Sequence, residues 1–229
     1  MPAHCPTPTG GKRAAAACIA ACKILATTPA TIPMQKQAWK LFPTLVHRYT
    51  EVLTADQLDT ILAHCLQSEA GRHGALLGDA QSTFDKDAHF IESLEAAHAH
   101  LQGLTQGLAQ LMDAYARELG LHSARLSNSW FNIQRPGSVL RHHTHPDSRV
   151  SAALCIASDD ASSKLHFENP NPLIGFIEAA QPTEFNMEMA KFKLAPGDLL
   201  LFPSWLKHGS GFEANQSALR VMISLNAGA

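Results

Sequence analysis

The sequence has almost no excess of charge of either sign. In its 229 residues, 18 lysines and arginines stand against 20 aspartates and glutamates, which gives a formal net charge of −2. A basic surplus that would indicate a nucleic-acid partner is missing, and no block of like charges indicates an interaction tail. The balance favours a small molecule or a protein side chain as the substrate, and it argues against nucleic acid.

Long apolar runs and paired cysteines are also missing. The apolar stretch 14–26 is too short and too rich in alanine to cross a bilayer, so no membrane association is predicted. Cys18 and Cys22 have no second pair of soft ligands nearby, which argues against a zinc site. The five cysteines are therefore interpreted as reduced thiols of a cytoplasmic protein.

The composition divides the chain into two parts. Residues 1–36 are rich in Pro, Gly, Thr and Ala and are predicted to be a disordered or loosely docked extension. Residues 37–229 are predicted to form a single domain, because a hydrophobic content of 45% suffices for one substantial core. No internal repeat is evident, and the sequence leaves the oligomeric state open, a homodimer included.

The first half of this domain has helical patterns after one short strand at 45–49. Thr54 and Gln57 form a capping-box pattern at the start of a helix predicted over roughly 54–68. A second apolar stripe at helical spacing predicts one long helix over roughly 90–120, ended by Gly120. The polar, Gly-containing segment between these helices is predicted to be a loop, over residues 71–87.

From about residue 123 to residue 227 the pattern changes to short β-like runs separated by turn residues. Many short strands without intervening helices favour an antiparallel sandwich or barrel of the jelly-roll type. The predicted fold class is thus α+β, mainly β, with a barrel supported by the N-terminal helices.

The stretch RHHTHPD, at 141–147, concentrates imidazoles at one place. Residues two apart on a strand point to the same side, so His143 and His145 project together, as do His145 and Asp147 if the chain stays extended past Pro146. Two such ligands and a third from a distant strand make the facial arrangement of non-haem iron(II) oxygenases. His208 follows the apolar run 199–202 and is the candidate third ligand. Without the upstream pair His143 and His145, it would be interpreted as a surface histidine beside Lys207.

Arg220 lies in a run, SALRVMISLN, that alternates as a strand. It shares a face with Met222 and Ser224, whereas the other face is apolar throughout. A cation on an otherwise apolar strand needs an anion, and a guanidinium binds a carboxylate through two parallel hydrogen bonds. The anion is either a dicarboxylate co-substrate or one of the chain's own acidic residues, and plain exposure of Arg220 to solvent is the remaining alternative.

Several of these motifs occur together in one known family. The stretch Trp130-Phe131-Asn132, His143-Thr144-His145-Pro146, LFPSWLKH and RVMISLN resembles a family of 2-oxoglutarate/iron(II)-dependent oxygenases, most specifically in LFPSWLKH. The resemblance implies a double-stranded β-helix (a jelly-roll, cupin-like barrel) with Fe²⁺, 2-oxoglutarate and O2. It also implies oxidative decarboxylation of 2-oxoglutarate coupled to hydroxylation of a substrate.

The resemblance leaves two registers for the metal ligands. His143-Thr144-His145 matches the narrower family and gives His143, His145 and His208, whereas His145-Pro146-Asp147 matches the wider superfamily's His-x-Asp and brings in Asp147. The all-histidine set is preferred because the spacing from Trp130 to Pro146 agrees with it.

The resemblance also implies the co-substrate residues, with one departure. Arg220 corresponds to the residue that binds the far carboxylate, but Met222 stands where the superfamily often has serine. Ser224, two residues later on the same face, and Asn132 on a neighbouring strand are the remaining candidates.

Two other functions share many of these residues. A cupin-like metalloenzyme without 2-oxoglutarate would use the barrel and the histidines but would not need Arg220. A non-catalytic binding module would need no metal. The segment 168–192 is long enough to form a lid, and a plain surface excursion is the alternative.

Overall fold

The computed structural model describes residues 35–176 and 178–229. Two units are distinguished, residues 1–43 and 44–229; the described part of the first, 35–43, has no regular secondary structure. The extension predicted over residues 1–36 lies almost entirely outside the described residues. Among the residues described, no helix is both long enough and apolar enough to cross a membrane.

Helices precede most of the strands in the second unit. The α-helices are α1 (Ala55–Gln67), α2 (Phe90–Ala97) and α3 (Leu104–Glu118), with short 3-10 turns at Ala99–Leu101 and Pro172–Phe176. The strands are β1 (His47–Tyr49), β2 (Leu76–Leu77), β3 (Ala80–Ser82), β4 (Arg125–Gln134), β5 (Val139–Leu140), β6 (Val150–Ala157), β7 (Leu165–Glu168), β8 (Met189–Phe192), β9 (Leu199–Pro203), β10 (His208–Gly209) and β11 (Arg220–Gly228).

The strands form a large antiparallel sheet and a small one. The large sheet has the order β1-β9-β6-β11-β4-β3, the small one has the order β10-β7-β8, and β2 pairs separately with β5. Alternation along β11 assigns its two faces: Val221, Ile223 and Leu225 pack in the core shared with the helices, and Met222 packs in a second core with Leu165 and other residues of the small sheet. The cleft described below lies on this second face.

The N-terminal helix begins as its sequence predicts. The Thr54 hydroxyl accepts a hydrogen bond from Gln57 N, and the Gln57 side chain accepts one from Thr54 N, which completes the capping box. Helix α3 ends with Gly120 at a φ of 77°, and Leu121 N donates to Ala116 O, as in a Schellman motif.

The helix predicted over 90–120 differs from the structure, because it is interrupted. The backbone of His98 is extended and Gly103 has a φ of 91°, which a residue with a side chain rarely adopts. The carboxylate of Glu95 accepts hydrogen bonds from Gly103 N and Thr105 N, both at 2.8 Å, and so caps the first turn of α3. The apolar spacing continues across the break, since Leu101 in the 3-10 turn is fully buried.

The segment predicted to be a loop, 71–87, also differs. It contains β2 and β3, which pair with β5 and with β4. Gly78, at a φ of 81°, turns the chain between them, and a Cβ there would lie 2.9 Å from Gly137 O. Strands of two and three residues are too short to show an alternation in the sequence, which is why the pattern gave no sign of them.

Candidate functional site

Three histidines from two distant parts of the chain meet at one edge of the small sheet. His143 N donates to His208 O at 2.9 Å, and His208 N donates to His143 O at 3.0 Å, so the backbone itself joins the two segments. One ring nitrogen from each of His143, His145 and His208 lies within 4.8 Å of the other two. Among the described residues, this trio is the one group of three or more His, Cys, Asp or Glu side chains arranged to hold a metal ion.

Backbone carbonyls fix the rings of two members of the trio. His143 Nδ1 donates to Arg141 O at 2.9 Å, and His208 Nδ1 donates to Leu206 O at 2.8 Å. In a neutral imidazole the other nitrogen, Nε2, then carries the free lone pair. Histidines that bind metals are held in this way by an acceptor behind the ring.

Burial keeps the trio uncharged. Desolvation lowers the pKa of His208 to about 3, with neighbouring His143 adding to the effect, and it lowers the pKa of His145 to about 4. The pKa of His143 is lowered for the same reason. Since a metal ion binds the neutral form of imidazole, the trio presents three available nitrogen ligands at neutral pH.

The structure does not bring Asp147 to this group. The chain turns at Pro146 and Asp147 instead of continuing extended, and Ser148 N donates back to His145 O at 3.2 Å. The Asp147 side chain is exposed, because the turn breaks the alternation that would have placed it beside His145. The geometry therefore favours the all-histidine register over His-x-Asp.

Arg220 lies in the cleft beside the trio and is buried, with 5% of its surface exposed. Its Nη1 donates to Gln134 Oε1 of the paired strand, and burial lowers the pKa of the guanidinium. No acidic side chain in the described part of the chain forms an ion pair with it. A buried cation without a carboxylate is costly, so this environment suits an anionic ligand.

Strands β4 and β11 line the cleft with residues in register. Arg220 pairs with Gln134, Met222 with Asn132, and Ser224 with Trp130. The cleft and the open solvent at its mouth together make up about 520 Å³. It is lined by His73, Leu76, Trp130, Asn132, Gln134, Leu140, His143, His145, Ala152, Ala153, Leu165, Phe202, His208, Arg220, Met222 and Ser224.

Three polar atoms in this lining are buried without a hydrogen-bond partner. They are Trp130 Nε1, Asn132 Oδ1 and Gln134 Nε2, whereas Asn132 Nδ2 donates to Ser224 Oγ at 3.3 Å. Buried polar groups are almost always paired, so a row of unpaired ones along a cleft is typical of a place where a polar ligand binds.

Three residues of the cleft lining that carry polar side-chain atoms, Gln134, Trp130 and His73, were not among the candidates from the sequence. Gln134 and Trp130 are two residues to either side of Asn132 on β4, so alternation along that strand, starting from Asn132, would have selected them as well. His73 lies in the segment taken for a loop; its ring stacks on Trp130 at 6.0 Å and meets the edge of Phe84 at 4.3 Å. No periodicity marks His73, and only the fold brings it to the cleft.

The comparison with protein families bears on the same part of the chain. Residues 128–226 match the sequence model of the family described as "Putative 2OG-Fe(II) oxygenase". The match covers less than half of the chain but includes the trio, Arg220 and the facing residues of β4. The resemblance to the 2-oxoglutarate/iron(II) oxygenases is confirmed.

Several solved structures have a similar fold. HygX from Streptomyces hygroscopicus, with nickel, 2-oxoglutarate and hygromycin B bound, has a TM-score of 0.55 at 12% identity over 81% of this chain and 83% of its own. The α-ketoglutarate-dependent epimerase SnoN from nogalamycin biosynthesis has a TM-score of 0.56 at 16% identity, with 80% and 76% covered. A prolyl-4-hydroxylase from Pseudomonas putida has a TM-score of 0.51 at 15% identity, with 80% and 92% covered.

These likenesses confirm the predicted jelly-roll, double-stranded β-helix fold. A search of curated protein sequences found no match. The matched family is described as one of 2OG-Fe(II) oxygenases, and the site described above fits both 2-oxoglutarate and iron(II). Three neutral imidazoles converge where a metal would lie, and a buried guanidinium without a carboxylate stands in the same cleft.

Proposed function

We propose that this oxygenase holds Fe²⁺ with His143, His145 and His208, binds 2-oxoglutarate with Arg220, and hydroxylates a small molecule. The observation that carries the proposal is the position of Arg220 in the cleft beside the trio, buried and without a carboxylate partner among the described residues. When bound, the iron with 2-oxoglutarate and O2 supplies the oxidising power; the protein supplies the geometry, the charge and a site screened from water.

Each residue of the cleft has a separate task in this proposal. The trio presents its ligands on one side, which leaves the cleft side open for 2-oxoglutarate and O2. The guanidinium of Arg220 forms the charged contact to the far carboxylate, and the unpaired Nε2 of Gln134 donates to the same group. Ser224 and Asn132, which hydrogen-bond to each other, support the co-substrate from the side.

A small-molecule substrate is favoured by the character of the site, a concave cleft with a mainly apolar and aromatic lining and a few polar groups. HygX binds hygromycin B and SnoN is an epimerase of nogalamycin biosynthesis, which supports the same choice. A protein side chain is the alternative, since a prolyl-4-hydroxylase shares the fold.

We also propose that residues 37–229 act as one oxygenase domain and that the enzyme is cytoplasmic. The free, buried thiols of Cys65 and Cys155 support the second point, because such cysteines are typical of reducing compartments.

An anaerobic titration with Fe²⁺, with and without 2-oxoglutarate, tests the proposal. We expect a weak visible charge-transfer band that needs both the metal and 2-oxoglutarate, and slow succinate formation on admitting air. Metal binding that 2-oxoglutarate leaves unchanged would favour a cupin-like metalloenzyme. Failure to bind any metal would favour a binding module, and either result would overturn the proposal.

A further inference from the structure

A second pair of histidines, His142 and His166, lies outside the cleft and has no part in the proposed reaction. Leu165 and Phe167 of β7 face the cores, so His166 between them points to the opposite face of the small sheet. Both side chains are nonetheless buried: 10% of the His142 side chain and 3% of the His166 side chain are exposed.

A carboxylate stands behind each ring. His142 Nδ1 donates to Glu168, and His166 Nε2 donates to Glu213 at 3.0 Å. A carboxylate only accepts hydrogen bonds, so in each neutral ring the proton lies on the nitrogen that faces the acid. The other two nitrogens, His142 Nε2 and His166 Nδ1, therefore carry lone pairs, and both are buried without a hydrogen-bond partner.

These two unpaired nitrogens border the same space beside Gly211. A Cβ on Gly211 would lie 3.2 Å from His142 Nε2 and 3.5 Å from His166 Nδ1. Glycine therefore leaves open the volume that any other residue would fill. The two rings are 6.1 Å apart between centroids and nearly perpendicular, at 78°.

We propose that His142 Nε2 and His166 Nδ1 bind a transition-metal cation such as Zn²⁺ beside Gly211, at a site separate from the trio. Two buried lone pairs that face a common space need an electron-pair acceptor. A carboxylate behind each imidazole is the arrangement that orients histidine ligands and makes them more basic. Lys207 and Lys191 pair with the same two acids, at 2.9 and 3.6 Å, so the carboxylate charge is balanced before the cation arrives.

The spacing of the rings indicates the kind of coordination. Ring centroids within the trio are 4.5 to 5.1 Å apart, whereas those of His142 and His166 are 6.1 Å apart. The second pair is thus more widely spaced than the trio, and because two nitrogens do not complete the shell of a zinc ion, water would supply its remaining ligands. The cation would tie β7 to the segment that follows β5, where His142 lies.

Equilibrium dialysis of the full chain against Zn²⁺ after removal of metals, with the bound metal counted, tests this site. We expect two equivalents in the wild type, because imidazoles of the trio also bind zinc. His166→Ala should lose one equivalent and keep the other, His208→Ala should lose the other, and the double variant should bind none. In His208→Ala protein, Zn²⁺ should still raise the melting temperature.

Two further variants guard against misfolding and against a site elsewhere. Glu213→Gln keeps every ring atom and should weaken only the second equivalent, by roughly 10- to 100-fold. His98→Ala removes one member of a hydrogen-bonded pair with His64 on the helices and should leave both equivalents in place. A single equivalent that survives His166→Ala, as expected if a water bridges the two nitrogens, would overturn the proposal, as would a second equivalent that survives His166→Ala or disappears in His98→Ala.

Discussion

At the scale of the residue, the choice between two ligand registers comes down to Asp147 and His143. His143 lies in the trio, whereas Asp147 is exposed in a turn. We predict that Asp147→Ala keeps Fe²⁺ affinity unchanged. His143→Ala should lower it by more than the roughly 10- to 100-fold that follows loss of an outer hydrogen bond, because a direct ligand is removed.

Anaerobic equilibrium dialysis with Fe²⁺ measures both variants on the same scale. Loss of iron in Asp147→Ala together with its retention in His143→Ala would establish the His-x-Asp register. Asp147, an acidic residue on the same segment of the chain, is thus a matched control for His143.

Gln134 is a second residue whose role can be separated from folding. Its Oε1 accepts from Arg220, and its Nε2 is buried without a partner. Gln134→Glu has nearly the same shape but places a carboxylate against the guanidinium, so the protein would supply the anion that the co-substrate should supply. We predict that 2-oxoglutarate binds at least about tenfold more weakly, in line with loss of a charged hydrogen bond, while Fe²⁺ binding is unchanged.

The measurement is a titration of the iron-loaded protein with 2-oxoglutarate in the absence of air, followed by the visible band. Asn128→Asp, earlier on the same strand and outside the cleft lining, is the control for an added charge on β4. If wild type and Gln134→Glu bind 2-oxoglutarate with equal affinity, the far carboxylate of 2-oxoglutarate does not lie beside Arg220 and Gln134.

At the scale of the element, Glu95 governs where α3 begins. Its carboxylate accepts hydrogen bonds from Gly103 N and Thr105 N. The pKa of Glu95 is lowered most by the hydroxyl of Thr105 and then by these two backbone hydrogen bonds. We predict that Glu95→Ala lowers the free energy of unfolding by about 1 kcal/mol at neutral pH, at the modest end for a lost cap because the site is partly exposed.

The pH dependence follows from the direction of that shift. A carboxylate whose pKa is lower in the folded state stabilises the fold above its unfolded pKa, and the contribution disappears as the pH falls through the folded value. Urea unfolding of wild type and Glu95→Ala should therefore differ at pH 7 and converge in acid. The exposed Glu69→Ala is the control, and a difference that persists at low pH would contradict the capping role.

The same elements show how far the sequence predicts the structure. Alternation on β11 placed Arg220, Met222 and Ser224 on one face, and the structure has all three in the cleft. The interruption near Gly103 was not predicted, because Leu101 keeps the apolar spacing intact while the backbone changes. The position of His73 in the cleft could not be predicted from the sequence. It depends on the pairing of β2 with β5 and of β3 with β4, strands that are fifty or more residues away along the chain.

At the scale of the whole molecule, Arg220 is expected to lower the stability of the ligand-free fold while it serves to bind the co-substrate. Its charge is buried, its pKa is lowered by desolvation, and it has no acidic partner among the described residues. A protein that keeps such a group for a ligand carries its cost whenever the ligand is absent.

Arg220→Met should therefore be at least as stable as the wild type without 2-oxoglutarate, because replacing buried ionic groups by apolar ones is often neutral or stabilising. The substitution leaves the Gln134 oxygen without its donor, but it also removes the larger cost of a buried charge. With iron present and 2-oxoglutarate at a hundred times its dissociation constant, the wild type should gain about 2.7 kcal/mol and the variant very little. Urea unfolding under anaerobic conditions, with and without 2-oxoglutarate, measures both effects, and the exposed Arg125→Met should behave as wild type. A variant that is markedly less stable than the wild type in the absence of 2-oxoglutarate would mean that Arg220 supports the barrel itself, with the acidic co-substrate a secondary partner.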